Sequence, residues 1–426
     1  MKPVIGPGVR LDGERHRAFH APLTDLPTGA RLILPVCPAG ESDEWTILPE
    51  GREIQRFTAV AVSTARPRAV EAPSAGTVGK TEVLPLPGRG EWLCVWMDAK
   101  EPAKEPSRSL NRTAKKKLLP AQILRTADAA GLIDETDGLL VADKLRRFCE
   151  RGITMLVCDA VCDDPYNADN LCALLEETED IADGLALAAA VCSVTDTRIV
   201  TSRAADAGWQ TVRRLRKRLD VPLINAVGKY PLWPNLLRQR PFAGQKVGRI
   251  GAQACARLTR AVRLSQPPRR VIVTVSGTAV REPQLFRVTV GTPLQDVLNQ
   301  VAVGSDGYRQ VAVGSAITGH SVGDTAMVPV MQDTRCILAF RAFPDRPRVC
   351  IGCGRCAAVC PADVFPTAAI RAMQRGESER ARMYGAGNCI DCGACEVVCP
   401  ARLHIRDLLH GGTALQTTES WRNRSE

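Results

Sequence analysis

The chain has 426 residues, against roughly 150 for an ordinary domain, and 45% of them are hydrophobic, so most of it can fill folded cores and is not disordered. Lys plus Arg exceed Asp plus Glu by 56 − 46 = 10, yet aromatics make up only 4%, too few for a stacking-based binder of single-stranded nucleic acid. The 17 cysteines are odd in number and spread over a long chain, which excludes a small secreted disulfide scaffold and points to metal-binding thiols in a reducing compartment.

Residues 1–98 are predicted to form a β-rich module. Arg31–Val36, Thr46–Leu48, Thr58–Val62 and Trp92–Trp96 read as short strands between Gly/Pro turns, and Ala72–Val78 as a turn entering a strand. The pattern is that of a flattened barrel of the barrel-sandwich-hybrid type. Met1–Leu26 has no apolar core of a signal peptide, and no eighteen-residue apolar run occurs, so no transmembrane segment and a cytoplasmic location are expected. Residues 99–120 read as a Pro- and charge-rich linker ending in the basic run Lys115–Lys117.

Residues 121–245 alternate helix and strand, which predicts an α/β domain with a largely parallel sheet. Ala121–Ala130 and Leu171–Glu177 are expected helices, and Ile153–Val157 and Val221–Asn225 are expected strands. Leu185–Val194 is expected to lead into a further strand. Asp206–Leu219 is a basic amphipathic helix whose arginines form a wet face rather than a nucleic-acid surface, because no nucleic-acid motif accompanies them. Residues 246–345 contain two strands, Val271–Ser276 and Leu285–Val290, before a helix started at Gly291-Thr292-Pro293, which suggests a β-grasp. Residues 411–426 are a polar tail.

Residues 346–410 hold the most specific signal. Cys350, Cys353, Cys356 and Cys360 form one C-x₂-C-x₂-C-x₃-C-P run, and Cys389, Cys392, Cys395 and Cys399 form another. This is the two-cluster ferredoxin spacing, in which the fourth cysteine of each run serves the other cluster. The expected ligand sets are therefore Cys350, Cys353, Cys356 and Cys399 for a first [4Fe–4S] cluster, and Cys389, Cys392, Cys395 and Cys360 for a second. Zinc ribbons use pairs of C-x₂-C instead. The other nine cysteines sit mostly among apolar residues and are expected to be small core side chains.

The order of modules, with Asp164-Pro165-Tyr166, Lys229-Tyr230-Pro231 and Gly291-Thr292-Pro293, resembles the RnfC family, the peripheral iron–sulfur subunit of Rnf electron-transport complexes, and the PrdC and corrinoid-reductase proteins that share its arrangement. The resemblance implies an SLBB-like β-grasp, two [4Fe–4S] clusters and a complex-I-flavoprotein-like domain for FMN and NADH. It also implies redox partners, either Rnf-type membrane subunits or a soluble reductase such as a proline-reductase system. No nucleic-acid partner is expected. In the family a Gly-rich loop cradles the FMN phosphate. Here the corresponding segment runs from Gly131 to Lys144 and carries Asp134, Glu135 and Asp137 in place of open backbone. Gly131, Gly138, Lys144, Asp164 and Tyr166 are its matching, vestigial cofactor positions. Each carboxylate is expected to repel a phosphate by roughly 1 kcal/mol or more. Two readings follow: a relay of single electrons with flavin and NADH binding weakened or lost, or an FMN-dependent NADH dehydrogenase whose loop has diverged.

Overall fold

In a computed structural model, the described residues are 6–11, 18–100, 118–202, 209–266, 269–305, 307–342 and 347–411. The expected linker run Lys115–Lys117 and the polar tail beyond 411 lie outside them.

The N-terminal module contains β1 (Leu23–Asp25), β2 (Arg31–Pro38), β3 (Trp45–Ile47), β4 (Glu53–Ile54), β5 (Ala59–Ser63), β6 (Ala69–Glu71), β7 (Gly76–Leu86) and β8 (Gly90–Ala99). Strands β2-β8-β7-β4 make one sheet and β3-β5-β6 another. Alternation along β2 and β8 sends Leu32, Leu34, Val95 and Met97 into the core between the sheets, where Val60 and Trp45 meet them. Strand β1 departs from the expected boundary at residue 98, because it leaves this module and pairs in parallel with a strand of the third sheet.

The second unit begins with α1 (Pro120–Ala129) and α2 (Val141–Arg151), then β9 (Met155–Ala160), α3 (Asp169–Glu176), α4 (Thr178–Cys192), β10 (Asp196–Ser202), α5 (Trp209–Arg218), β11 (Leu223–Ala226) and α6 (Leu232–Leu237). It continues through β12 (Val247–Gly251) and α7 (Ala252–Leu264). The sheet order is β11-β10-β9-β12, all parallel, so the expected boundary at 245 falls too early. Central β9 is buried on both faces, as a parallel strand covered by helices should be. Leu185–Val194 belongs mostly to α4, and the strand starts only at Asp196. Its Ala-rich run has no β-branched residue before Val191, so helix propensity prevails. On α5, Leu215 is buried while Arg213, Arg214, Arg216, Lys217 and Arg218 are exposed, the wet face expected of them. The expected helix start at Asp206 lies outside the described residues.

The third unit is a six-stranded mixed sheet, built from β1 and from β13 (Arg270–Ser276), β14 (Gln284–Thr289), β15 (Gln310–Val313), β16 (His320–Val322) and β17 (Cys336–Phe340). The order is β1-β14-β13-β17-β15-β16, and the short α8 (Leu294–Leu298) follows β14. Bidentate Arg335 ties this sheet to the α/β unit, with its Nε and Nη2 donating to Asp169 at 3.0 and 3.1 Å. The C-terminal module is small and helical: α9 (Arg355–Ala358), α10 (Pro366–Gln374), α11 (Ser378–Met383), α12 (Ala394–Val397) and α13 (Ile405–Gly411). Among the described residues no helix is long and apolar enough to cross a membrane.

Helices α4 and α7 pack closely because Gly184 lets the Cys255 backbone approach; a Cβ there would lie 1.9 Å from the Cys255 carbonyl oxygen. Backbone against backbone cannot yield, so Gly184→Ala should lower stability by about 1–3 kcal/mol, read as a fall in the urea midpoint. An unchanged midpoint would mean that the two helices do not pack this way in solution.

Candidate iron–sulfur module and the sealed crevice

The two cysteine runs fold as copies of one motif, and every feature of the first recurs 39 residues later (350 to 389). Left-handed backbone occurs at Gly352 (φ 70) and Asp391 (φ 55), at Gly354 (φ 70) and Gly393 (φ 71), and at Asp363 (φ 55) and Arg402 (φ 51). These turns aim amides at sulfur. Gly352 N–H donates to Cys350 Sγ at 3.5 Å, and Asp391 N–H to Cys389 Sγ at 3.4 Å. Val364 N–H donates to Cys360 Sγ at 3.4 Å, and Leu403 N–H to Cys399 Sγ at 3.5 Å. Glycine or a short side chain suits such turns, and N–H···S bonds are a lever that sets cluster potential. Arg348 N–H donates to the Ala401 carbonyl at 2.8 Å and joins the start of one copy to the end of the other.

Burial pushes the Cys389 thiol up to about 11 and the Cys392 thiol up to about 12, and raises Cys395 further; in all three the Cys360 sulfur also acts through its charge. Among the described residues no group of three His, Cys, Asp or Glu closes on a single ion. A cube spreads its four thiolates over four irons, so it does not need them to converge on one point. The eight thiols and the amides aimed at sulfur fit two cubes, which when bound would supply one-electron carriers. Of the nine remaining cysteines seven are buried, while Cys192 is half-buried and Cys149 exposed.

The second run docks on the body of the protein. Tyr230 Oη donates to the Cys392 carbonyl at 2.7 Å, and Arg406 Nη2 to the Ile317 carbonyl at 3.3 Å. The end of the first run also touches the body, where Arg238 Nη2 donates to the Pro361 carbonyl at 2.9 Å. Next to this contact the parallel strands β9, β10 and β11 end, the usual ligand edge of such a sheet. The crevice there, lined by Asp163, Ser202, Ala226, Tyr230 and Leu232, has a volume of only about 10 Å³. Part of the reason is the N-terminal segment: Val9 exchanges two 2.8 Å backbone hydrogen bonds with Tyr230, and Asn235 Nδ2 donates to the Pro7 carbonyl at 2.7 Å.

The vestigial cofactor positions divide. Asp164 lies at this edge, half-buried, and accepts a short hydrogen bond from Ser315 Oγ. Burial raises its carboxyl to about 7, with Ser315 opposing and Asp163 adding to the rise. Tyr166 has φ 69 and meets the Phe340 ring edge-on at 6.2 Å. Gly131 and Gly138 keep left-handed backbone (φ 57 and 71). Lys144 is 3% exposed and donates to Asp134 Oδ2 at 2.9 Å and Asp137 Oδ2 at 2.6 Å.

Two of the three carboxylates expected to face a phosphate are turned away from solvent, while Asp137 is exposed. Asp134 and Glu135 turn inward and are buried. Gly251 N–H donates to Asp134 Oδ2 at 3.0 Å. Glu135 accepts Gln253 N–H and Ala254 N–H at 2.8 Å each, and Arg257 Nη2 at 3.1 Å. Glu135 thus occupies the N-terminus of the thirteen-residue α7, the place where a strand–turn–helix of this kind would receive a phosphate. The repulsion expected from sequence is not what these two residues present, since Lys144, Arg257 and the backbone amides compensate both charges. A Cβ at Gly251 would lie 2.3 Å from Glu135 Oε1, so this glycine makes room for the carboxylate. Sequence reasoning missed Gly251 and Arg257; the only signal was a glycine between a strand and a helix, with an arginine six residues on.

Residues 349–403 match the family model for a 4Fe-4S dicluster domain. The chain is 25% identical over 386 residues to the C subunit of an ion-translocating oxidoreductase complex from Erwinia tasmaniensis, covering 85% of this chain and 47% of that protein. It is 21% identical over 380 residues to the C subunit of a proton-translocating ferredoxin:NAD(+) oxidoreductase complex from Clostridium ljungdahlii, covering 84% and 82%. The chain therefore spans about half the length of the Erwinia relative. A chain of an NAD+-reducing [NiFe]-hydrogenase crystal structure aligns with TM-score 0.44 and 18% identity, over 69% of this chain and 62% of that one.

Removing Lys144 leaves the buried Asp134 without its cationic partner, so Lys144→Met should cost about 3–5 kcal/mol in chemical denaturation; a near-neutral variant would mean that the network is not formed. Asp164 tests the pH dependence. Its folded carboxyl titrates at about 7, above the ordinary 3.8, so the folded state holds the proton more tightly. Its stabilising contribution is full below about pH 4 and is lost as pH rises through 7. Asp164→Asn should flatten that part of a stability–pH profile, and an unaltered slope would place the titration elsewhere.

Proposed function

We propose that this chain, homologous over most of its length to the C subunits of ion-translocating oxidoreductase complexes, is an iron–sulfur electron-transfer protein that passes single electrons between two [4Fe–4S] clusters. The observation that carries this reading is the pair of repeated cysteine loops, each with two backbone N–H groups aimed at sulfur, inside the residues that match a 4Fe-4S dicluster domain; Cys360 with Cys389, Cys392 and Cys395 would hold the second cluster. Cys350, Cys353, Cys356 and Cys399 would then hold the first cluster. The two-sheet N-terminal sandwich supports a barrel-sandwich-hybrid assignment, and the mixed sheet with its short helix supports an SLBB-like β-grasp.

The protein's own contribution is geometry. Left-handed turns wrap the backbone around each cluster, and the amides at 352, 364, 391 and 403 tune its potential. No proton needs to move. In this reading the chain works at the cytoplasmic face of a membrane, held there through Rnf-type partners, or it serves a soluble reductase. The dehydrogenase reading is the weaker one. FMN needs an open phosphate cradle and a crevice for its ring, whereas Glu135 fills the helix N-terminus and the strand-end crevice is about 10 Å³.

Anaerobic reconstitution with iron and sulfide should give two [4Fe–4S] signals in the reduced-state EPR spectrum, with no flavin released on denaturation and no reduction by NADH. Cys353→Ala and Cys392→Ala should each halve the iron content. Retention of full iron by either variant would overturn the ligand assignment, and NADH-driven reduction through a bound flavin would overturn the relay.

A further inference from the structure

The two cysteine loops are copies in backbone but not in surroundings. The second loop is covered: Gly393 and Ala394 are buried, and a Cβ on Gly393 would lie 2.7 Å from the Ile317 side chain. Tyr230 holds its Cys392 carbonyl. The first loop is open. Every residue from Arg348 to Arg355 is exposed except the half-buried Cys350, with Val349 at 85% and Ile351 at 71%.

The charge differs in the same sense. Residues 347–362 carry Arg348 and Arg355 and no acidic residue; the equivalent 386–401 carry Asp391 and Glu396 and no Lys or Arg. Two large aliphatic side chains standing in water cost free energy, roughly 25 cal/mol for each Å² a partner could cover. An apolar centre with a charged rim is the anatomy of a transient protein interface, and the rim sets the approach of the partner.

Building on the two-cluster reading, we propose that the Arg348–Arg355 loop is the docking surface for an acidic one-electron redox protein, with Val349 and Ile351 as its apolar centre. The first cluster is then the port to that partner, and the second, walled by the body of the chain, is the inner station. In each encounter one electron is lost by the reduced partner and gained by the oxidised cube, with no bond made or broken and no proton transferred. A basic rim would speed encounter with an acidic partner at low salt and lose that advantage as salt rises past a Debye length of about 8 Å at physiological ionic strength.

The experiment uses the full chain with reconstituted clusters and an acidic plant-type [2Fe–2S] ferredoxin as the probe. Binding is titrated at low and at physiological salt, with the EPR spectrum of every variant taken first. Wild-type chain should bind the probe, and more weakly at the higher salt. The double variant Arg348→Glu with Arg355→Glu should weaken low-salt binding by at least tenfold and abolish its salt dependence. Ile351→Ser should weaken binding at both salts and leave the salt dependence intact. Arg52→Glu, on an exposed turn of the N-terminal module, should change neither. No binding by wild-type chain, or unchanged binding in the loop variants with both cubes intact, overturns the docking surface alone. A wild-type chain that assembles no cubes overturns the electron-transfer reading and this proposal with it.

Discussion

Two carboxylates buried at the start of α7 place the heaviest constraint on this molecule. Asp134 and Glu135 arrive on the loop after α1, and an unpaired buried charge costs several kcal/mol. Lys144 from α2, Arg257 from α7 and the amides of Gly251, Gln253 and Ala254 meet them. Arg257 then reaches the carbonyls of Ile133 and Gln332, at 2.9 Å each, so the same cluster binds the α/β unit to the segment before β17. Helix α7 depends on it twice over, because its N-terminal amides are satisfied by Glu135 and its dipole faces a negative charge.

That arrangement bears directly on function. A helix N-terminus facing a loop is an anion site, and which anion occupies it decides what the domain does. Here a side-chain carboxylate takes the amides of Gln253 and Ala254. The N-terminal segment across Tyr230 and the narrow crevice at the strand ends act in the same direction. The C-terminal module seats its second cysteine loop on Tyr230 and beside Ile317, while residues 351–355 of the first stay in solvent.

The α/β alternation, the strands of the first module and the sheet elements of the third were legible because hydrophobic period and turn residues are local properties. Boundaries were less so. Whether β12 and α7 belong to the second or the third unit depends on β12 pairing with β9, some ninety residues away, and no local signal encodes that choice. Strand β1 is the same case: Leu23–Asp25 lies in the first module by sequence and in the third sheet by pairing. The run Leu185–Val194 was ambiguous because a short buried helix and a buried strand share the same apolar composition.

The cysteine spacing by itself determined the iron–sulfur chemistry, because three thiolates within seven residues and a fourth before proline are a local geometric demand of the cube. It also disclosed that the expected phosphate loop was acidic. What those acids do was decided only by the tertiary structure. A carboxylate's effect depends on what it faces, and Lys144, Arg257 and the α7 amides come from separate segments of the chain. The inequality of the two cysteine loops was likewise invisible in their matching spacing, since exposure is set by the body, which covers Gly393 and Ala394 and leaves residues 351–355 open.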